Sequence, residues 1–176
     1  MSTFSFDAQV TAALFDKTGA IFALGDGSVR FENGARSEVH VGPILCACVP
    51  PWGEAAATGG DKGKVVWSRE GEAVLLATAK GQWIASIAAS PASGLIAFSA
   101  GRTLSVIDVK DVAFRRDFQH ERTVSGVAFD PKGRRIATAT YGGAALWYAR
   151  IEQQQPVKLA WAGSHLAVTF SPGGAS

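Results

Sequence analysis

Few residues of this chain could carry chemistry, and the most suggestive of them lie in one glycine-rich stretch. Gly59-Gly60-Asp61-Lys62-Gly63-Lys64-Val65 resembles a phosphate-binding loop, in which backbone amides and a lysine hold phosphate groups. The pattern fails at both ends. Thr58 stands where the first glycine is required, and Val65 stands where a serine or threonine would bind magnesium. We therefore interpret the stretch as a turn between two strands.

Other catalytic and metal-binding signatures are missing from the sequence. Gly25-x-Gly27 lacks the third glycine of a dinucleotide fingerprint, no Gly-x-Ser-x-Gly elbow occurs, and no histidine pair has zinc-ligand spacing. Cys46 and Cys48 have apolar neighbours and, in a strand, would point to the same face about 6–7 Å apart. We expect two reduced core thiols rather than a disulfide or a metal pair. The sequence predicts no cofactor, no stoichiometric metal and no hydrolase or oxidoreductase activity.

Composition restricts the class of protein. The chain has 176 residues, of which 47% are apolar and 18% charged, as in a globular domain. Its net charge of +2 is too small to imply a nucleic-acid or membrane partner. The N-terminus lacks the basic and apolar regions of a signal peptide, and no apolar run is long enough to cross a membrane. With the reduced cysteines, these features predict a cytoplasmic protein.

The elements that would position any site are short apolar runs, which segment 123–148 shows most clearly. Its runs VSGVAF, RRIATAT and AALWY are each too short for an ordinary helix and are bounded by glycine or proline. This pattern favours three antiparallel strands. Asp130-Pro131-Lys132-Gly133 suits a type I turn because proline fixes φ at the second position. Tyr141-Gly142-Gly143 marks the second turn.

The glycine after the first strand of this pattern recurs with a period near forty residues. It is found at Gly19, Gly53, Gly94, Gly133 and Gly174, with spacings of 34, 41, 39 and 41. Such a period is typical of an array of supersecondary units. The third strand of each unit ends in a large apolar residue, and these residues are Phe31, Trp67, Ile107 and Trp147. The polar segment after each has room for a fourth, outer strand.

Phe129 and Asp130-Pro131 before Gly133, followed by Trp147 fourteen residues later, resemble the core of a WD40 repeat. The resemblance extends over nearly the whole chain, although no unit keeps the Trp-Asp pair intact. It implies an all-β fold, a β-propeller of four-stranded antiparallel blades, with about four blades and one extra strand. The expected organisation is a single array over residues 1–176, with units at 8–40, 41–80, 81–120 and 121–163 and a partial fifth at 164–176.

The resemblance also assigns a role to one set of polar residues. In WD40 repeats a histidine, a serine or threonine, an aspartate and a tryptophan form a structural hydrogen-bonded network. The residues that match in order are His40, Thr58, Asp61 and Trp67. A catalytic interpretation of the same residues would require Thr58 to be an exposed nucleophile. The fourth unit keeps a reduced set, which consists of His120, Thr138 and Trp147.

The function that the resemblance implies is a non-catalytic scaffold for protein–protein interaction. The alternative is a propeller enzyme, or a ligand-binding propeller, with its site in the central channel. Partner contacts are expected from loops at one rim of the array, where side chains escape packing. The candidate contact residues are Trp83, Arg102, Arg122 and Tyr141. Two further basic pairs, Arg115-Arg116 and Arg134-Arg135, are either solvated strand ends or part of a groove for an acidic partner.

The number of units is too small for a complete WD40 ring, which usually has seven or more blades. We therefore expect the N-terminal half of a longer protein or a natural half-propeller. Exposed blade faces predict self-association, most simply a homodimer in which two chains complete a ring of about eight blades. A compact four-bladed ring of one chain is the alternative. In this interpretation the segment 3–6 is an outer strand whose blade is missing.

Overall fold

The computed structural model describes residues 3–111 and 113–173, and these residues form fifteen strands with no helix among them. The strands make four antiparallel sheets, here called blades one to four, in which neighbours along the chain are neighbours in the sheet. The predicted all-β fold is confirmed. Gly174, the last glycine of the predicted period, lies outside the described residues.

Blades one and two are four-stranded meanders. Blade one contains β1 (Val10–Asp16), β2 (Gly19–Leu24), β3 (Ser28–Phe31) and β4 (Arg36–Glu38). Blade two contains β5 (Ile44–Cys48), β6 (Ala56–Gly60), β7 (Lys64–Arg69) and β8 (Glu72–Thr78).

Blades three and four repeat the same order. Blade three contains β9 (Ile84–Ser90), β10 (Leu95–Ala100), β11 (Thr103–Asp108) and β12 (Arg115–Gln119). Blade four contains β13 (Val124–Phe129), β14 (Arg135–Tyr148) and β15 (Val157–Ser164).

The long strand β14 folds back on itself and supplies two strands of blade four. The hydroxyl oxygen of Thr138 lies 3.3 Å from the carbonyl oxygen of Ala145, a distance that an extended strand cannot give because each residue adds about 3.3 Å. The first half of β14 pairs with β13 and the second half with β15. The reversal lies at Tyr141-Gly142, where the sequence predicts a turn, and Gly142 has a positive φ of 92°.

The core consists of three hydrophobic clusters, each shared by two successive blades. One joins blades one and two around Ile21 and Ile44, and the next joins blades two and three around Ile84 and Phe98. The third joins blades three and four around Leu104. None of the three clusters joins blade four to blade one. Each blade is therefore held by its neighbours in sequence.

The N-terminal segment differs from the prediction. Residues 3–6 are not a strand. Instead Phe4 and Phe6 pack against Phe22 of blade one, with ring centroids 5.1 and 5.0 Å away. These ring contacts, in which Phe4 stays 40% exposed, attach the segment to blade one without the backbone pairing of an outer strand.

The expected strand of the fifth unit is not formed either. The strand β15 ends at Ser164, and the described residues after it, 165–173, pair with no other strand. The chain nevertheless runs extended beside β13. The Ser125 hydroxyl donates to the carbonyl of His165, and Ala167 lies against Gly126. This segment occupies the place of an inner strand but has no second strand with which to pair.

We expect Trp147→Ala to lower the free energy of unfolding by about 3–5 kcal/mol, as measured by urea denaturation. The Trp147 side chain is 5% exposed and stacks on Phe118 with a centroid distance of 4.9 Å. Trp83 is the matched control, because it is 70% exposed, and Trp83→Ala should change the free energy by about 0.5 kcal/mol or less. A loss of under about 1 kcal/mol in Trp147→Ala would contradict the burial of Trp147 between blades.

Candidate partner-binding rim

One edge of the blades is built by the turns between second and third strands, and we call it the turn rim. At this edge the segment that leads to the next blade crosses over the turn. The carbonyl of Gly27 accepts the amide of Val39 at 3.0 Å, and the carbonyl of Gly63 accepts the amide of Ala79 at 2.7 Å. The carbonyl of Gly101 accepts the amide of Val124 at 2.9 Å. The same backbone contact therefore anchors three crossings.

Glycine is required at these turns for two reasons. Gly63 has a φ of +72°, and a Cβ there would lie 2.1 Å from the carbonyl oxygen of Ala79. Gly27 has a φ of +87°, and a Cβ would lie 2.2 Å from the carbonyl oxygen of His40. A side chain would be strained in this region of φ and would also displace the crossing segment. The glycine-rich stretch 59–65 is thus a structural turn, as predicted.

A second contact holds the crossing segment at the turn rim. It is a hydrogen-bonded set of side chains that leads into blade four. The Nε2 atom of His120 lies 2.9 Å from the Thr138 hydroxyl and accepts the indole N–H of Trp147 at 3.1 Å. Because an indole N–H can only donate, Nε2 carries the lone pair and the proton is on Nδ1. Nδ1 then donates to the carbonyl of Phe118 at 3.2 Å. The set holds the crossing segment to the inner strands.

Blade two forms only half of this set. His40 Nε2 lies 3.0 Å from the Thr58 hydroxyl, which donates to the carbonyl of Val66. The buried indole nitrogen of Trp67 has no hydrogen-bond partner among the described residues, and its ring lies near Trp52, with a centroid distance of 6.4 Å. The predicted participation of Trp67 in the network is therefore wrong.

The reason is a register difference of one residue. In both blades the tryptophan follows the threonine by nine residues. Thr58, however, lies opposite Val66, eight residues later, whereas Thr138 lies opposite Ala145, seven residues later. In blade two this pairs Trp67 with Ala57. Since alternate strand residues point to opposite faces, Trp67 points away from the face that carries Thr58.

Asp61, the fourth residue of the predicted network, forms an ion pair with Lys62 at 3.0 Å. Its Oδ1 atom is buried without a hydrogen-bond partner in the part of the chain that the structure describes. The structure thus brings His40 and Thr58 together by a direct bond and places Asp61 beside them.

Burial lowers the pKa of both network histidines. For His40 desolvation is the largest cause, and the charge of Asp61 opposes it. For His120 desolvation is again the largest cause, and the bonds to backbone carbonyls oppose it. A proton on Nε2 of His120 would also face the indole N–H of Trp147. The lowered pKa favours the neutral form of both rings, and for His120 this is the form that accepts the indole N–H.

The predicted contact residues lie at this same rim. The Arg122 guanidinium sits over the Tyr141 ring, 5.9 Å from its centroid, and Tyr141 is 63% exposed. Both residues line a cleft of about 290 Å³ in blade four, where Lys158 and Glu121 form an ion pair at 2.7 Å. The cleft thus combines a cation, an aromatic ring and an exposed ion pair.

Arg102 and Trp83 belong to the neighbouring blade at the same rim. Arg102 is exposed in the turn between β10 and β11, and its carbonyl accepts the amide of His120 at 2.9 Å. Trp83 directly precedes β9, and the side chain of the adjacent Gln82 lies against Gly101 of that turn. The four candidates therefore lie at the same edge of blades three and four.

Comparison with known proteins agrees with this geometry. The family model described as "WD domain, G-beta repeat" matches residues 113–147. Residues 113–147 are thus similar to a WD40 repeat. The matched residues include His120, Thr138 and Trp147, which form the hydrogen-bonded set described above. The shifted register of blade two is one physical reason why its sequence departs from the WD40 pattern.

The whole chain has the fold of a WD40 propeller. A chain from the solved structure described as "Crystal Structure of Mitotic Checkpoint Complex" superimposes with a TM-score of 0.77 at 14% identity. The match covers 98% of this chain and 58% of that one. In all, 958 solved chains match significantly, so the fold alone does not select a function. A search of curated protein sequences finds no significant match.

The cysteines lie on β5, on either side of Ala47, which pairs with Thr58. Cys46 and Cys48 are both unpaired, and burial raises the pKa of each thiol to about 12. The Cys46 thiol donates to the carbonyl of Ile84 at 3.3 Å. Within the described residues, no group of three or more His, Cys, Asp or Glu is arranged to hold a metal ion.

We expect the free energy of unfolding to fall as the pH is lowered from about 7.5 to about 5. The folded-state pKa values of His40 and His120 are lowered from 6.5, so the unfolded chain binds more protons than the folded chain as the pH falls below 6.5. Urea midpoints at the two pH values measure the loss.

The double variant His40→Asn, His120→Asn should show a flatter pH dependence over this range. His165→Asn is the matched control, because His165 is outside both networks, and it should keep the wild-type slope. An unchanged slope in the double variant would contradict the assignment to the two network histidines.

Proposed function

We propose that this chain is a non-catalytic scaffold that binds other proteins through the turn rim. The observation that carries the proposal is the exposed surface of Trp83, Arg102, Arg122 and Tyr141. Tryptophan, tyrosine and arginine are the residue types that most often dominate interface energies. The WD40 fold supports a protein partner, since proteins of this family typically act as interaction scaffolds.

The cation–π contact explains how this surface is prepared for binding. Arg122 already rests on Tyr141, so less conformational freedom is lost when a partner covers both side chains. The crossing bonds at Gly101 and Arg102 hold the backbone beneath them. Rigid aromatic and arginine side chains on a fixed backbone favour tight contact over a small area.

An enzyme or a ligand-binding propeller with a channel site is the alternative. We favour the scaffold because the exposed side chains at the rim are aromatic and cationic, the types that most often dominate protein interfaces. The described residues include no helix long and apolar enough to cross a membrane. We propose a cytoplasmic location on the basis of the two reduced cysteines.

The triple variant Trp83→Ser, Arg122→Ala, Tyr141→Ser should lose partner binding. We expect quantitative capture from an extract of the native host to retain at least one protein on the wild-type chain, and that protein to fall about tenfold or more on the variant. Phe15→Ser, Leu75→Ser is the matched control, because Phe15 is 75% and Leu75 55% exposed away from the turn rim. Equal capture by all three proteins would refute the turn rim as the binding surface.

We also propose self-association through the outer face of blade four. On β15 the alternating residues Val157, Leu159 and Trp161 share one face, and they are 57%, 51% and 73% exposed. Leu159 pairs with Ala144, so this apolar face continues across the blade. Faces of this kind are buried between the other blades, and a second copy offers blade one as a neighbour. Two chains would then complete a ring of about eight blades.

Light scattering at micromolar concentration tests this second proposal. We expect a mass of twice 18.4 kDa for the wild-type chain, and 18.4 kDa for Leu159→Asp, Trp161→Asp. Val74→Asp, Leu75→Asp, which places the same two charges on exposed residues of β8, should remain a dimer. A wild-type mass of one chain would exclude the dimer and favour the compact single-chain arrangement.

A further inference from the structure

The edge opposite the turn rim carries a cleft that the proposed function does not use. In blade four, β13 begins at the turn rim, where Val124 pairs with Thr140, and ends at the far edge, where Phe129 pairs with Ile136. The turn after β13 therefore belongs to the far edge. It borders a cleft of about 530 Å³, which also reaches the turn between β9 and β10 of blade three.

The residues around this cleft have an unusual charge distribution. Three of the described residues that line it are cations, namely Lys132, Arg134 and Arg150, and none is acidic. Neither Lys132 nor Arg134 forms an ion pair with a described carboxylate. Arg150 alone is paired, to Asp108 at 3.1 Å. Two positive charges in one concave site are left without compensation.

Arg150 is held in place by three contacts from blade three. Its Nη2 atom donates to the carbonyl of Ser93 at 3.2 Å and to the carboxylate of Asp108. Its guanidinium also lies over the ring of Phe114, 4.9 Å from the centroid. The position of this cation is therefore fixed before any ligand arrives, which reduces the entropy lost on binding.

The backbone that carries Lys132 and Arg134 is equally well defined. The Asp130 carboxylate accepts the amide of Arg134 at 2.7 Å, and the Asp130 carbonyl accepts the amide of Gly133 at 2.9 Å. Asp130 itself is 5% exposed, so its charge is directed at the turn and not into the cleft. The two long side chains extend from this fixed turn.

The geometry points to a binding site for a phosphate monoester carried by a partner polypeptide. A phosphate monoester has nearly two negative charges and three acceptor oxygens, which match two uncompensated cations and the remaining donors of Arg150. Tyr148, which is 52% exposed in the wall of the cleft, adds a phenol donor. The choice of a polypeptide ligand rests on the proposed scaffold function. A nucleic acid would require a longer basic stripe, whereas the net charge is only +2.

Nuclear magnetic resonance titration with a capped Gly-Gly-phosphoserine-Gly-Gly peptide tests the site. We expect saturable shifts of the backbone amides of Lys132, Gly133 and Arg134. Lys132→Gln and Arg134→Gln should each weaken binding about tenfold, and the double variant should abolish it. Lys80→Gln removes an exposed cation that belongs to neither proposed site and should leave the affinity unchanged, so it is the matched control.

Four outcomes would overturn the proposal. They are no saturable shift with the phosphopeptide, equal shifts with the unphosphorylated peptide, equal or tighter binding of inorganic phosphate, and tighter binding of a short single-stranded oligonucleotide. The test is independent of partner capture by the turn rim. Loss of the phosphopeptide site would leave the turn-rim result standing, and failure of the turn rim would leave the measured phosphate binding intact.

Discussion

Packing of one sheet face against the next is the interaction on which the rest of the structure depends. Leu95 and Leu104 of blade three meet Ile136 and Trp147 of blade four, and equivalent clusters join the earlier blades. A small sheet with two apolar faces is not stable alone in water, because both faces must be buried. The rim turns and the histidine networks act within blades that this packing has already positioned.

The parts of the structure that local signals control were predictable from the sequence. The Asp130-Pro131-Lys132-Gly133 turn forms because one carboxylate accepts two amides in succession, a property of aspartate at the start of a turn. The turn at Tyr141-Gly142 follows from two glycines. The positions of Arg122 and Tyr141 at one rim follow from strand order, since antiparallel strands bring every second connection to the same edge.

Features that depend on register or on distant segments were not predictable. The sheet face to which Trp67 points depends on the number of residues in the turn between β6 and β7. A change of one residue in that turn would point the side chain to the opposite face. The packing of Phe4 and Phe6 on Phe22 requires knowledge of which blade face is free. The cation cluster of the far edge unites Lys132 with Arg150 only because Ser93 and Asp108 of another blade fix that arginine.

Because the three clusters join the blades in series, the position of a destabilising substitution determines how much of the chain unfolds with it. Each junction couples only two neighbouring blades, so the total stability is close to a sum of separate junction energies. A cavity in the cluster around Leu104 would release one terminal blade, whereas a cavity around Phe98 would divide the chain into two halves of two blades each. The position of a lesion along the chain, as well as its local energy, therefore determines how much of the protein unfolds.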